Sequence, residues 1–224
     1  MTPTQTPTLT GQIDAFQQAL AGQVPAAIMT QFAAEAERVA RSGIAAHALA
    51  VGAPAPTFSL PAATGNVVRL ADLLERGPVV LIFYRGEWCP YCNLTLRAYQ
   101  AALPAITALG ATLVAVSPQT PDNSLTTVEK KELTFPVLSD AGNAVARAYG
   151  LVFSLSEDVR PMYTAIGSDL PAYNGDQSWE LPMAGTFVIA RDGTARLAFV
   201  DPDYTHRLEP AEIVAALRDL AAGR

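Results

Sequence analysis

Apolar residues recur at helical spacing over Ile13, Phe16 and Leu20, and again over Ile28, Phe32, Ala36 and Val39, with a break at residues 22–25. The pattern predicts two amphipathic helices within 13–49. Val51-Gly52-Ala53-Pro54-Ala55-Pro56 interrupts it and marks the entry to a second unit. Strands are then expected at 57–60 and 67–70 around the turn Thr64-Gly65-Asn66, followed by one or two helical turns over 71–76. Residues 79–84, Val-Val-Leu-Ile-Phe-Tyr, are uninterruptedly apolar and read as a buried strand. A helix begins near Pro90, runs through Leu94, Leu96, Tyr99 and Leu103, is expected to kink at Pro104 and stops at Gly110.

The alternation continues with a strand over 111–117, a helix supported by 128–133, a strand over 135–138, and a helix over 141–149 capped by Asp140 and ended by Gly150. Residues 151–181 are irregular, rich in Pro, Gly and aromatic residues, and are expected to fold over the 79–92 stretch as an insertion. A hairpin follows, 186–190 and 195–200 around Arg191-Asp192-Gly193, and an amphipathic helix over 209–222 closes the chain. Up to Gly150 strands alternate with helices, the pattern of a parallel α/β core.

With 224 residues, 50% hydrophobic and 16% charged, the chain can bury the core of one ordinary domain with a small extension. We divide it into an N-terminal helical extension, 1–50, and a domain, 51–224. The apolar faces of the extension must bury somewhere, against the domain or against a second copy, so a homodimer is expected. A net charge of -6 without a basic run argues against a nucleic-acid binder and against binding to anionic membranes. No stretch approaches the length of a membrane span. Residues 1–10 are rich in Thr and Pro, lack a basic start and an apolar core, and read as disordered rather than as a signal peptide. A cytoplasmic protein is expected, and there a cysteine pair is more often catalytic than structural.

That pair is Cys89 and Cys92, the only cysteines in the chain. A buried strand, a glycine turn and Cys89-Pro90-Tyr91-Cys92 at a helix start would deliver a thiol to the unpaired amides and positive dipole of a helix N-terminus, which favour the thiolate of Cys89. Pro90 suits the first helical turn, and Cys92 falls about one turn on, within reach of a disulfide. Arg85 either adds positive charge beside Cys89 or makes a surface salt bridge. Trp88 and Tyr84 flank the thiol and either shape its pocket or pack. Zinc would need two further ligands, yet His47 and His206 are isolated; c-type haem attachment would need a histidine where Asn93 stands. His206 is expected to be a hydrogen-bonded loop residue, with approach to the thiols as the alternative, and His47 an ordinary surface or helix-end residue.

The order of elements resembles the thioredoxin fold. The segments Val51-Gly52-Ala53-Pro54-Ala55-Pro56-Thr57-Phe58, Phe83-Tyr84-Arg85-Gly86-Glu87-Trp88-Cys89-Pro90-Tyr91-Cys92-Asn93, Val137-Leu138-Ser139-Asp140 and Thr186-Phe187-Val188-Ile189-Ala190-Arg191-Asp192-Gly193 resemble the peroxiredoxin-like branch of the alkyl hydroperoxide reductase and thiol-specific antioxidant family. The resemblance implies a thioredoxin-like, peroxiredoxin-type α/β fold behind the helical extension. It also implies a thiol peroxidase in which Cys89 attacks a hydroperoxide and becomes a sulfenic acid, Cys92 condenses with it to a disulfide, and a thioredoxin- or glutathione-type reductant restores the dithiol. No cofactor and no metal are implied. The chain departs from the family pattern at Ile82 and Gly86, which stand at its Pro and Thr positions, and at Met183-Ala184-Gly185, where an arginine usually precedes the late strand. Candidate catalytic residues are therefore Cys89, Cys92 and Arg85, and candidate substrate-binding residues are Tyr84, Gly86 and Trp88. Cys-Pro-Tyr-Cys also occurs in glutaredoxins, which keeps a thiol-disulfide oxidoreductase and a redox-sensing module as alternatives.

Overall fold

The computed structural model describes residues 7–223. Part of the start read as disordered, residues 1–6, lies outside the described residues. The first helix, α1 (Leu9–Leu20), begins earlier than the apolar spacing suggested, because Thr8 supplies a capping oxygen to the Gly11 amide at 3.1 Å. After the break comes α2 (Ala26–Arg41), then a single 3-10 turn, Ile44–His47. The hairpin β1 (Ser59–Pro61) and β2 (Val67–Arg69) leads through the short α3 (Leu70–Leu74) into β3 (Val79–Phe83). Then follow α4 (Pro90–Ala108), β4 (Thr112–Ser117), α5 (Pro121–Lys131), β5 (Val137–Ser139) and α6 (Ala144–Ala148). The irregular segment resolves into β6 (Val152–Ser154), α7 (Arg160–Ala165), α8 (Leu170–Asn174) and β7 (Glu180–Pro182), with β6 and β7 paired antiparallel. The chain ends with β8 (Gly185–Ile189), β9 (Ala195–Val200) and α9 (Pro210–Ala221).

Five strands form the main sheet in the order β5-β4-β3-β8-β9. The expected parallel core is present in β3, β4 and β5, and the expected hairpin in β8 and β9; β8 runs antiparallel to β3, so the whole sheet is mixed. The Arg191-Asp192-Gly193 turn makes the β8–β9 pair antiparallel, since a tight hairpin joins only antiparallel strands. One correction concerns α6, which starts at Ala144 rather than 141. Asp140 still satisfies its first amides, accepting from Val145 and Ala146 at 3.0 and 2.8 Å, but it reaches over a loop closed by Asn143 in the left-handed conformation.

β3 is the centre of the sheet, and all five of its residues are buried. Alternation splits them between two cores. Val80 and Ile82 join Leu96, Tyr99 and Ile106 of α4 and Ile213 and Leu217 of α9; Leu81 and Phe83 join Val114, Val116, Tyr149 and Phe187. The first core also takes in Leu9 and Ile13 of α1, 1% and 5% exposed, so part of the apolar face of the extension is buried within the same chain. Glu209 fastens this contact: its carboxylate accepts from the amides of Leu9 and Thr10 at 3.0 and 2.7 Å while it also caps α9. α2 is fastened through Glu35, buried at 8% exposure, which accepts from Arg38 and from the amide and hydroxyl of Ser156. The insertion and the extension thereby close over the same end of the sheet, the end at which β3 delivers the cysteines.

Candidate active site

β3 stops at Phe83 and the chain turns through Arg85, Gly86, Glu87 and Trp88 into α4. Gly86 has φ 146°, a conformation side chains rarely adopt, and a Cβ there would collide with the Trp88 indole. The residue at the family's threonine position is thus a glycine because the tryptophan ring folds back over the turn. The turn is held from outside: Gln119 accepts from the Glu87 amide at 2.8 Å, Asn93 donates to the Glu87 carbonyl at 2.8 Å, and the Cys89 amide donates to the Gly86 carbonyl at 3.1 Å. Lys130 pairs with the Glu87 carboxylate at 3.1 Å, which directs that negative charge toward α5 and solvent.

Cys89 is the residue before the helix, Pro90 the first residue within it, and both sulfurs are reduced and buried, with Cys89 0% and Cys92 1% exposed. The Cys89 sulfur makes no capping contact with the helix amides. Its partner is Arg85, whose Nη2 donates to the sulfur at 3.3 Å. Arg85 is only 5% exposed, so the surface salt bridge is excluded. Its guanidinium lies 4.3 Å from the centre of the Tyr204 ring and 5.2 Å from that of Trp88, and Trp88 in turn stands edge-on to Tyr163 of the insertion at 5.3 Å. The aromatic cage contributes cation–π attraction but no counter-charge.

The second sulfur has its own cation. Arg207 Nη2 lies 3.7 Å from Cys92 Sγ. Among the described residues neither Arg85 nor Arg207 has a carboxylate partner. Buried cations persist only when paired, and the anion available to Arg85 is a thiolate. Burial by itself pushes the Cys89 thiol up; a hydrogen bond from Cys92, the charges of Arg85 and Arg207 and the Arg85 hydrogen bond outweigh it and hold Cys89 well below the ordinary thiol value. Cys92 goes the other way, because burial, its hydrogen bond to Cys89 and the Cys89 charge all push it well above. Of the two thiols, Cys89 is therefore the one that gives up its proton first, and Cys92 the one that keeps it. Tyr84 is buried beside Cys92, and burial pushes its phenol up to about 12, so it stays neutral.

The sequence-selected residues Tyr84, Arg85, Gly86, Trp88, Cys89 and Cys92 thus fall together at one turn, whereas His206 is the hydrogen-bonded loop residue expected, its Nδ1 donating to Asp201 Oδ2 at 2.9 Å. His47 closes the 3-10 turn far along the chain from the thiols. Tyr163 and Gln119 were not singled out by sequence, and Tyr204 and Arg207 only as members of a polar loop that resembles the peroxiredoxin-like branch. Arg207 had one available signal: it is the fixed cation of the polar loop Asp201-Pro202-Asp203-Tyr204-Thr205-His206-Arg207, next to the histidine that drew attention. Among the described residues no group of three His, Cys, Asp or Glu is placed to hold a metal, and no helix is long and apolar enough to cross a membrane.

A mixed sheet whose central strand leads into a helix headed by Cys-x-x-Cys is a thioredoxin-like fold. The particular branch follows from comparison. The sequence model of the AhpC/TSA family matches residues 51–198, and the chain belongs to that family. A Mycobacterium tuberculosis protein named as a peroxiredoxin is 37% identical over 102 residues, 46% of this chain and 64% of that protein. Chloroplastic peroxiredoxin Q of Triticum aestivum is 28% identical over 129 residues, 58% of this chain and 59% of that protein. The chain therefore spans less than two thirds of either relative's length. Among solved structures, peroxidoxin BcpB from Mycobacterium tuberculosis superposes with a TM-score of 0.61 at 25% identity, covering 79% of this chain and 99% of that one.

Proposed function

We propose that the protein is a thiol peroxidase that reduces hydroperoxides with Cys89 as the attacking thiol and Cys92 as the resolving thiol. The observation that carries this reading is the Arg85–Cys89 contact at 3.3 Å, with no carboxylate among the described residues paired to the cation, an arrangement that keeps a thiolate ready. In the first step the Cys89 thiolate attacks the terminal peroxide oxygen; an S–O bond forms, the O–O bond breaks, and the departing alkoxide or hydroxide takes a proton from solvent. In the second, the Cys92 sulfur attacks the sulfenic acid, an S–S bond forms, and the hydroxyl leaves with the Cys92 proton as water. A thioredoxin- or glutathione-type dithiol or thiol pair then reduces the disulfide and is itself oxidised. Arg85 positions the peroxide oxygens and stabilises the departing charge, Trp88 and Tyr84 wall the site, and Gly86 gives the backbone room for Trp88. A cytoplasmic location, where thiol reductants are maintained, suits this cycle.

Peroxide-dependent oxidation of the purified protein, followed by intact mass and by turnover with thioredoxin, tests the proposal. A loss of two hydrogens with steady peroxide consumption is expected; reduction of insulin disulfides without peroxide consumption would establish a thiol-disulfide oxidoreductase instead. Intrachain burial of Leu9, Ile13 and Val39 leaves less of the extension for a homodimer to cover; light scattering on the full chain decides that point, and the disulfide is expected within one subunit.

A further inference from the structure

Arg207 stands between Cys92 and the outside. It lines a small void that Cys92 and Thr186 also line, and it lines a cleft of about 340 Å3 between α1 and the 201–207 loop. Phe199 is the other residue common to both, and Cys89 lines neither. This approach therefore leads to the second sulfur alone. Ile13, Asp14 and Gln17 of α1 face the loop across the cleft. Asp14 is exposed and, like Arg207, has no ion-pair partner among the described residues. The other ionisable groups of the cleft, Asp201 and His206, are committed to each other at 2.9 Å. One uncompensated charge of each sign remains, one on α1 and one on the loop, which complements a zwitterion better than a simple anion or cation. The volume is that of a small-molecule site, for which roughly 300 to 1,000 Å3 is usual.

Charge is what keeps Arg207 over Cys92. Its other hydrogen bond goes to the carbonyl of its own neighbour, His206, at 2.7 Å, and no carboxylate anchors it. In the reduced pair the Cys89 thiolate attracts it; in the disulfide neither sulfur is charged, so the half-exposed side chain is free to turn outward to a carboxylate in the cleft. Leaving-group chemistry favours the same sulfur. A thiolate that attacks Cys92 expels Cys89, the more acidic of the two and hence the faster to leave. We infer that the cleft binds a small zwitterionic thiol, its carboxylate on Arg207 and its ammonium on Asp14, and delivers its sulfur to Cys92 of the oxidised pair. Asp14 and Arg207 both lie outside residues 51–198, so the site belongs to the two ends of this chain and not to the stretch that defines the family. The inference rests on the peroxidase reading only for the source of the disulfide. The incoming thiolate forms an S–S bond with Cys92 while the Cys89–Cys92 bond breaks, and Cys89 departs as a thiolate beside Arg85. A second thiolate then attacks the sulfur of the bound molecule; Cys92 leaves and takes a proton from solvent, and the two small thiols depart as their own disulfide.

The test uses the full chain oxidised with diamide, which makes the disulfide without peroxide, and then freed of it. In one arm glutathione is the probe, the reaction is quenched with N-ethylmaleimide, and the tryptic peptide 86–97, which carries both cysteines, is fragmented. The glutathionyl group is expected on Cys92 and the maleimide on Cys89. In the other arm, second-order rates of reduction at equal thiolate concentration are compared for glutathione and 2-mercaptoethanol, which lacks both charges. Glutathione is expected to lead by about tenfold, the product of two exposed ion pairs of about threefold each, and Asp14→Asn to cut that lead by about threefold. S-Methylglutathione, which cannot react, is expected to slow glutathione by competition. A glutathionyl group on Cys89, equal rates for the two thiols, or a lead that survives Asp14→Asn intact overturns the inference. If both arms come out as expected but the reduced protein consumes no peroxide, the peroxidase reading is what fails and the thiol site stands.

Discussion

Replacing Arg207 with glutamine removes the charge that stands 3.7 Å from the Cys92 sulfur while keeping a planar polar side chain in its place. Before oxidation the loss matters little to Cys92, because the neighbouring Cys89 thiolate already keeps it protonated. Once Cys89 carries an oxygen, that negative charge is gone, and the two guanidiniums face Cys92 alone. Unit charges at this separation interact by about 1 kcal/mol in bulk water and about 4 kcal/mol at an effective dielectric of 20. Arg207 is half-exposed, so the lower part of that range applies, about 1 to 2 kcal/mol, or roughly one pKa unit. Arg207→Gln therefore raises the Cys92 pKa in the sulfenic state by about one unit. Below that pKa the thiolate fraction falls about tenfold, and the stronger nucleophilicity of the more basic thiolate returns part of it, leaving roughly a threefold slower disulfide closure.

The assay is a single turnover with stoichiometric peroxide, quenched at intervals with dimedone and resolved by intact mass into thiol, dimedone adduct and disulfide. Arg207→Gln is expected to accumulate the adduct, with the pH profile of closure displaced upward by about one unit, and Arg207→Lys to restore most of the wild-type profile because it restores the charge. Superimposable closure rates and pH profiles for wild type and Arg207→Gln would refute the reasoning, and with it the idea that each sulfur has its own cation.

Cys89→Ser is expected to abolish peroxide consumption, whereas Cys92→Ser should permit one oxidation and leave a trapped sulfenic acid; equal single-turnover rates for wild type and Cys89→Ser would contradict the assigned order. Arg85→Met should raise the Cys89 pKa and slow alkylation near neutral pH, read from a pH series of iodoacetamide reactivity; an unshifted series would leave Arg85 a packing residue. Burial pushes the Glu35 carboxyl up, but Arg38 and Ser156 hold it below its ordinary 4.5, so its contribution to stability is present above that value and is lost as pH falls through the lower, folded one. Glu35→Gln is thus expected to cost about 1 to 3 kcal/mol at pH 7, seen as a lower urea midpoint, and to converge with wild type in acid; a constant difference from pH 7 to pH 3 would assign the loss to packing.

What the sequence revealed divides along the distance over which each feature is encoded. The central strand was legible because β3 is buried on both faces, so its apolar run needs no partner to be recognised. The cysteine helix was legible because Pro90 and the residues around it carry their own start signal. Parallel or antiparallel pairing is not written in any one strand: β8 was legible as one arm of a hairpin, but its antiparallel pairing with β3 carries no local signal. The same distinction governs the site. Tyr84, Arg85, Gly86, Trp88, Cys89 and Cys92 are neighbours in the chain and could be chosen together, but the charge on Cys92 comes from Arg207, 115 positions away. Sequence emphasised His206 in that loop because histidine titrates near neutrality; the fold selects the residue beside it, since a permanent cation can face a thiolate that forms and vanishes within one catalytic cycle, while His206 is already committed to Asp201. The helix dipole, the cause first offered for an acidic Cys89, is correspondingly secondary: the sulfur touches no helix amide, and a guanidinium at 3.3 Å in a buried site outweighs a half-charge at the end of a helix.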